Sequence, residues 1–210
     1  MFNLPIFNLS TLTNLKKMDY KLIETIDQAV AGLDHKTISE GIEWYPEANK
    51  KIKRIAHSLA LPSSVVAETV SILSPAQVWE SNIEEAHKLL FSLKYEPDQL
   101  EKLTFTTYKS NVEKAIRVYR KEEVMNQDKS GFKTYAFAHN LLLQDQYVTI
   151  DRHMLKLVDI EKFFGTKSLT KKTYFGYAEA IKKVAKKYNL KGYEVQASLW
   201  LKLRDQEVEQ

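Results

Sequence analysis

Apolar residues recur at three- and four-residue intervals along almost the whole chain, and no segment pairs with another as an alternating apolar–polar strand. That periodicity constrains the fold to helices packing on helices. Between Ser74 and Leu93, for example, Val78, Asn82, Ile83, Ala86, Leu89, Leu90 and Leu93 fall on one helical face, with Ser74 placed to cap its start. Proline at a first-turn position marks helix starts at Pro46, Pro62 and Pro75. A capping box, Ser110-Asn111-Val112-Glu113, is expected to open a helix through Ile116 and Tyr119 to Arg120. Further helices are expected at 14–31, 132–143, 152–158, 171–188 and 193–204. With no internal repeat and no low-complexity linker, the chain reads as one all-α unit. It comprises an N-terminal helical extension (1–40), a core (41–158) and basic C-terminal helices (159–210) packing back on that core.

Several function classes are excluded by composition. The chain of 210 residues contains no Cys, so a disulfide framework, a thiolate metal site and an Fe–S cluster are all ruled out. Its five histidines, His35, His57, His87, His139 and His153, are scattered rather than grouped with acids, and no metal site is expected. No phosphate-binding or dinucleotide glycine signature is present, and no cofactor is expected. No apolar run reaches the roughly 18 residues that span a bilayer. The opening MFNLPIFNLSTLTNLKK places its basic residues after its apolar ones, unlike a secretory signal. A soluble, monomeric, cytoplasmic protein is the expectation.

The net charge is +4, modest in total but uneven in distribution. From Lys162 to Lys191 there are nine lysines against one acid, Glu179. Such a run can follow a phosphate backbone and supply salt-dependent, sequence-independent affinity, and it can equally be a solvated helix face.

Two short stretches carry the candidate chemistry. In SGFKTYAFAHNLLLQ, Gly131 sits at a turn and Lys133 falls in the first turn of the following helix. A cation there opposes the helix macrodipole, at roughly 0.3–1 kcal/mol when exposed. One use for such a placement is an amine kept partly neutral as a nucleophile; the plain alternative is a lysine reaching into water. In YVTIDRHML, Asp151 follows a β-branched run and precedes a short helix, so it is expected to act as an N-cap. A capping carboxylate can still face a cleft and serve as a base or an electrostatic stabiliser.

Taken together, Gly131-Phe132-Lys133-Thr134 and Thr149-Ile150-Asp151-Arg152-His153 resemble the G-x-K-T and V-D-x-H segments of the helix-hairpin-helix DNA glycosylase superfamily, the endonuclease III group in particular. The separation of the two residues, 151 − 133 = 18, matches the catalytic Lys–Asp spacing of that group. Upstream, Tyr108-Lys109-Ser110 with Glu113 and Ile116, and Ile72-Leu73-Ser74 through Ala86, resemble the family's preceding segments in the same order. Small uncharacterised phage proteins are more closely similar. They share the segments found here at Trp44-Tyr45, Leu73 to Asn82, Gly131 to Lys133, Val148 to His153 and Val195 to Trp200. One departure is that Lys129 stands where the hairpin usually has its first glycine.

The resemblance implies a two-lobed helical fold of the glycosylase type, DNA as partner, one nucleotide flipped from the stack, and a home in a bacterium or phage-infected cell. Lys133 would attack the sugar C1′ and Asp151 would assist, giving an N-glycosylase with AP-lyase chemistry. Trp79 would stack on the extruded base while Asn82 reads its edge. Gln77, His153, Arg152, Asn140, Trp44, Tyr45 and Gln196 complete the expected substrate site. Gly131, Ser110, Lys129, Lys171 and Lys172 are expected along the DNA backbone. Two alternatives remain at this level: an enzyme that modifies bases in phage DNA, and a non-catalytic DNA-binding protein.

Overall fold

The computed structural model describes the backbone of residues 9–164 and 169–208, with side chains at 20–128, 131–159, 161–163 and 169–204. Among these residues there are helices and turns and no strand, so the chain is all-α. The helices are α1 (Leu9–Ala31), α2 (His35–Ser58), α3 (Ser63–Leu73), α4 (Trp79–Tyr95), α5 (Lys109–Tyr119), α6 (Gln127–Ser130), α7 (Phe132–Leu141), α8 (Met154–Leu157), α9 (Ile160–Phe164), α10 (Lys171–Lys187) and α11 (Gly192–Val208), with a 3-10 turn at Pro97–Lys102. They form two compact units, one of residues 42–149 and one of residues 1–41 with 150–210. The chain passes between them within α2 and again between Thr149 and Ile150.

In the 42–149 unit, α3 packs against α4, α5 and α7. Its sequence explains this position. Val66, Ala67, Thr69, Val70, Ser71, Ile72 and Leu73 are all buried, and a helix apolar on nearly every side belongs inside a core. Glu68 is the charged exception in that stretch and is half-buried. In the other unit, α1 and α11 pack on α10, and α8 lies on α11. Tyr174, Tyr177, Ile181 and Val184 of α10 are buried there, as are Tyr193, Val195 and Leu199 of α11.

Three expected helix starts are placed differently. Pro46 lies inside α2, which begins at His35, eleven residues before the proline (46 − 35 = 11). Asp34 opens that helix instead, its carboxylate accepting from the backbone N–H and the hydroxyl of Thr37 at 2.8 and 2.9 Å. An interior proline costs a helix about 3 kcal/mol. Here the buried stripe of Tyr45, Ala48, Asn49, Ile52, Ile55 and Ala56 continues through it and outweighs that loss. Ser74 does not cap α4. It ends α3, donating its hydroxyl to Ser71 O at 2.9 Å, while α4 starts at Trp79. The Ser110 capping box does not form either, because α5 already begins at Lys109, behind Tyr108, with no side-chain cap. The remaining expected helices agree with those observed to within a few residues at each end, α1 starting five residues early.

Candidate functional site

The first turn of α7 sets up the candidate chemistry in the 42–149 unit. The one-turn helix α6 runs into Gly131, whose φ of +82° is a backbone conformation that glycine adopts without strain, and α7 starts at the next residue. Lys133 is the second residue of α7. It is half-buried, and its Nζ donates to Ser74 Oγ at 3.2 Å. The same ammonium lies 5.8 Å from the centre of the Phe137 ring, one turn further along the helix. The α7 start is also held by Ser71, whose hydroxyl donates to the Thr134 carbonyl.

Phe137 belongs to an aromatic cluster. Its ring centre is 6.2 Å from Trp44 and 6.4 Å from Trp79, and the two tryptophans are 5.1 Å apart. Tyr45 stands edge-on to Trp44 at 4.7 Å. Trp44 and Tyr45 are therefore helical residues within α2, not a segment ahead of a helix. A second ammonium, that of Lys51, sits 5.8 Å over the Trp79 ring. The structure thus gathers Lys133, Trp44, Tyr45 and Trp79 as the sequence expects, and adds Ser74, Phe137 and Lys51. Phe137 was legible as the residue one turn after Lys133; Ser74 reaches Lys133 from 59 residues away and had no local signal.

The polar residues near this cluster divide sharply. Asn140 is fully buried and fully occupied: its Nδ2 donates to Gln144 O at 3.1 Å and Tyr147 O at 2.9 Å, and its Oδ1 accepts from Thr149 Oγ1 at 2.8 Å. Tyr45 extends the chain by donating to Thr149 Oγ1 at 3.3 Å. Asn140 therefore fastens the 144–149 segment, and its amide is fully engaged in doing so. Asn82, one turn into α4 and only 2 % exposed, has no hydrogen-bond partner for its Oδ1 among the described residues. Gln77 donates its Nε2 to the Glu85 carboxylate and to Thr106 Oγ1 at 3.1 Å, and its buried Oε1 likewise has no partner among the described residues. Ser110 is exposed on α5, and the Lys129 side chain lies outside the described residues.

Asp151 belongs to the other unit and is half-buried. Its Oδ1 accepts from the backbone N–H groups of His153 and Met154, both at 3.0 Å, which braces the turn leading into α8; the N-cap position itself is His153, not Asp151 as the sequence expects. Behind it, the Tyr174 hydroxyl accepts from Ile150 N at 3.2 Å and the Tyr177 hydroxyl donates to Met154 O at 2.7 Å. Burial, followed by the charge of Asp151, pushes the Tyr177 phenol far above its usual range, and burial chiefly does the same for Tyr174. Both phenols stay protonated and serve as fixed hydrogen-bonding groups. Arg152 is exposed, and the His153 ring lies edge-on to Trp200 at 6.4 Å. Gln196 is buried on α11. Lys171 and Lys172 are exposed in the first turn of α10, where Thr170 caps the helix by accepting from Thr173 N at 3.3 Å. Elsewhere in the basic run, Lys182 pairs with Glu179 and Lys187 with Asp27.

Among the described residues, no group of His, Asp and Glu side chains is placed to hold a metal ion. Among the described residues, no single helix is long and apolar enough to cross a membrane. Residues 8–207 match a family described as a family of unknown function, DUF7178. The chain belongs to DUF7178. The match covers nearly all of the chain and takes in residues of both units. No curated protein and no solved structure matches the chain.

Proposed function

We propose that this member of DUF7178 is a DNA N-glycosylase with AP-lyase chemistry, acting on a damaged or modified base flipped out of the stack. The observation that carries the reading is the setting of Lys133: a half-buried amine, oriented by Ser74 Oγ at 3.2 Å, beside the Phe137–Trp79–Trp44 aromatic cluster. A nucleophile needs its reacting atom held still, and an extruded base needs an aromatic surface to stack against. Here one helix start supplies the first and its neighbours supply the second.

In the proposed reaction, neutral Lys133 Nζ attacks C1′ as the C1′–N bond breaks and the base leaves with its electron pair, taking up a proton. Opening of the sugar ring gives an iminium. Loss of the C2′ proton then expels the 3′ phosphate by β-elimination, and water hydrolyses the iminium to release the lysine. Asp151 takes the carboxylate role through the resemblance to endonuclease III-like enzymes. Its Oδ1 is engaged by two backbone N–H groups, which holds the carboxylate in one orientation.

The test is borohydride trapping of the purified protein on oligonucleotides that carry an abasic site or one of a panel of damaged and phage-type modified bases. A covalent adduct is expected, lost in Lys133→Ala and weakened at least about 100-fold in rate in Asp151→Asn. DNA binding without adduct or base release on any substrate would remove the reading in favour of base modification or plain binding.

A further inference from the structure

Two buried side-chain polar atoms lack a hydrogen-bond partner among the described residues, and both are amide carbonyl oxygens beside the first turn of α4: Gln77 Oε1 and Asn82 Oδ1. Buried acceptors are nearly always paired, so two orphans of the same kind around one helix start need an explanation. The orientation of Gln77 is fixed chemically. Its Nε2 donates to the Glu85 carboxylate, which accepts only, so the oxygen must be the atom left over. Between the two residues lies Trp79, packed against Trp44.

The geometry points to a recognition site for a ring whose edge presents N–H donors, that is, an amino-bearing base rather than its carbonyl-bearing counterpart. That the ring is a nucleobase rests on the glycosylase-type reading above; that its edge must donate rests on the two orphaned oxygens. An exocyclic amino group carries two N–H donors, as many as there are orphaned oxygens. A carbonyl in the same place would set lone pairs against lone pairs, and only the neighbouring ring N–H would remain to meet one of the two oxygens. Both oxygens are closed to solvent. A ring that reaches them displaces the half-buried Trp79 or Trp44 side chain, and tryptophan emission reports that step.

The experiment measures binding of deoxycytidine against deoxyuridine, and of deoxyadenosine against deoxyinosine, to the full chain by calorimetry and tryptophan quenching. Each pair exchanges an amino for an oxo group at one ring position, and no bond is broken in the measurement. The amino member is expected to bind at least about tenfold more tightly. In Asn82→Leu the preference is expected to fall to about twofold or less while Tm stays level or rises, since the substitution removes an unpaired buried polar group of similar volume. Equal or tighter binding of the oxo members, or no binding of any nucleoside, would overturn the inference. So would Asn82→Leu lowering Tm with the preference intact, which would mean a buried water satisfies the amide. Abasic-site trapping by Lys133 needs no base. Trapping with no amino preference therefore sinks this inference alone, and amino preference without trapping sinks the glycosylase reading alone.

Discussion

Asn140→Ala is the most informative single change for the 42–149 unit. The side chain is fully buried and makes three hydrogen bonds, to Gln144 O, Tyr147 O and Thr149 Oγ1. At about 1 kcal/mol net for each, truncation forfeits about 3 kcal/mol, and the carbonyls and hydroxyl left unpaired in the interior bring the loss to about 3–5 kcal/mol. That is a large share of the roughly 5–15 kcal/mol that holds a domain together. At about 2–4 °C per kcal/mol for a chain of this size, Tm falls by roughly 10 °C. Asn140→Asp keeps an acceptor for Thr149 but turns its second oxygen toward the Gln144 and Tyr147 carbonyls, so it is expected to be at least as damaging. Urea unfolding followed by tryptophan emission is the assay, because Trp44 and Trp79 lie in the same unit. Thr149→Val removes the hydroxyl that bonds Oδ1, and the double mutant should show a coupling of about 1 kcal/mol. An Asn140→Ala loss below about 1 kcal/mol, or strictly additive effects with Thr149→Val, would refute the reasoning. The segment that Asn140 fastens leads directly into Asp151, so reduced trapping at temperatures below the transition is expected as well.

Two further outcomes follow from packing and charge. Gly41→Ala should destabilise the protein by about 1–3 kcal/mol or more, although alanine usually improves a helix, because the new Cβ would stand 2.5 Å from Ser198 N and 2.6 Å from its Cα, and backbone cannot yield easily; a neutral or higher Tm would contradict this. Burial raises the Glu68 carboxyl above its usual range, so the stability contributed by its neutral form is present at acid pH and is lost as pH rises through the folded-state value. Glu68→Gln is therefore expected to raise Tm near pH 7 and to match the parent near pH 4; equal Tm values at both ends of a pH series of thermal melts would show that the carboxylate is adequately solvated.

The candidate site was legible in parts. Lys133 in the first turn of α7 and Gly131 at the turn before it are local features, set by a few neighbouring residues, and the structure has them where periodicity and turn rules place them, while Asp151 braces the turn ahead of α8 rather than its N-cap position. The misplaced helix starts have a common cause. Proline and serine signals are permissive, and Pro46 and Ser110 occur at positions where a helix already running has reason to continue or to start earlier. The grouping of Trp44, Trp79 and Phe137 depended on α2, α4 and α7 meeting, which no short window of sequence contains.

The contrast between two asparagines shows where the division lies. Both Asn82 and Asn140 are polar residues in apolar helical stretches, and the sequence alone treats them alike. Sequence by itself determined that this chain is helical throughout, that its amphipathic faces must be buried against one another, and that, without cysteine, it uses no thiolate chemistry. Those conclusions rest on a 3.6-residue period and on side-chain chemistry, both readable within a turn or two. Only the tertiary structure decided that Asn140 is saturated by the 144–149 segment while the Asn82 oxygen meets no partner among the described residues, and that Ser74 meets Lys133. Hydrogen bonding is short-ranged and directional, so a buried amide becomes a fastening or a vacancy according to which backbone arrives within about 3 Å of it.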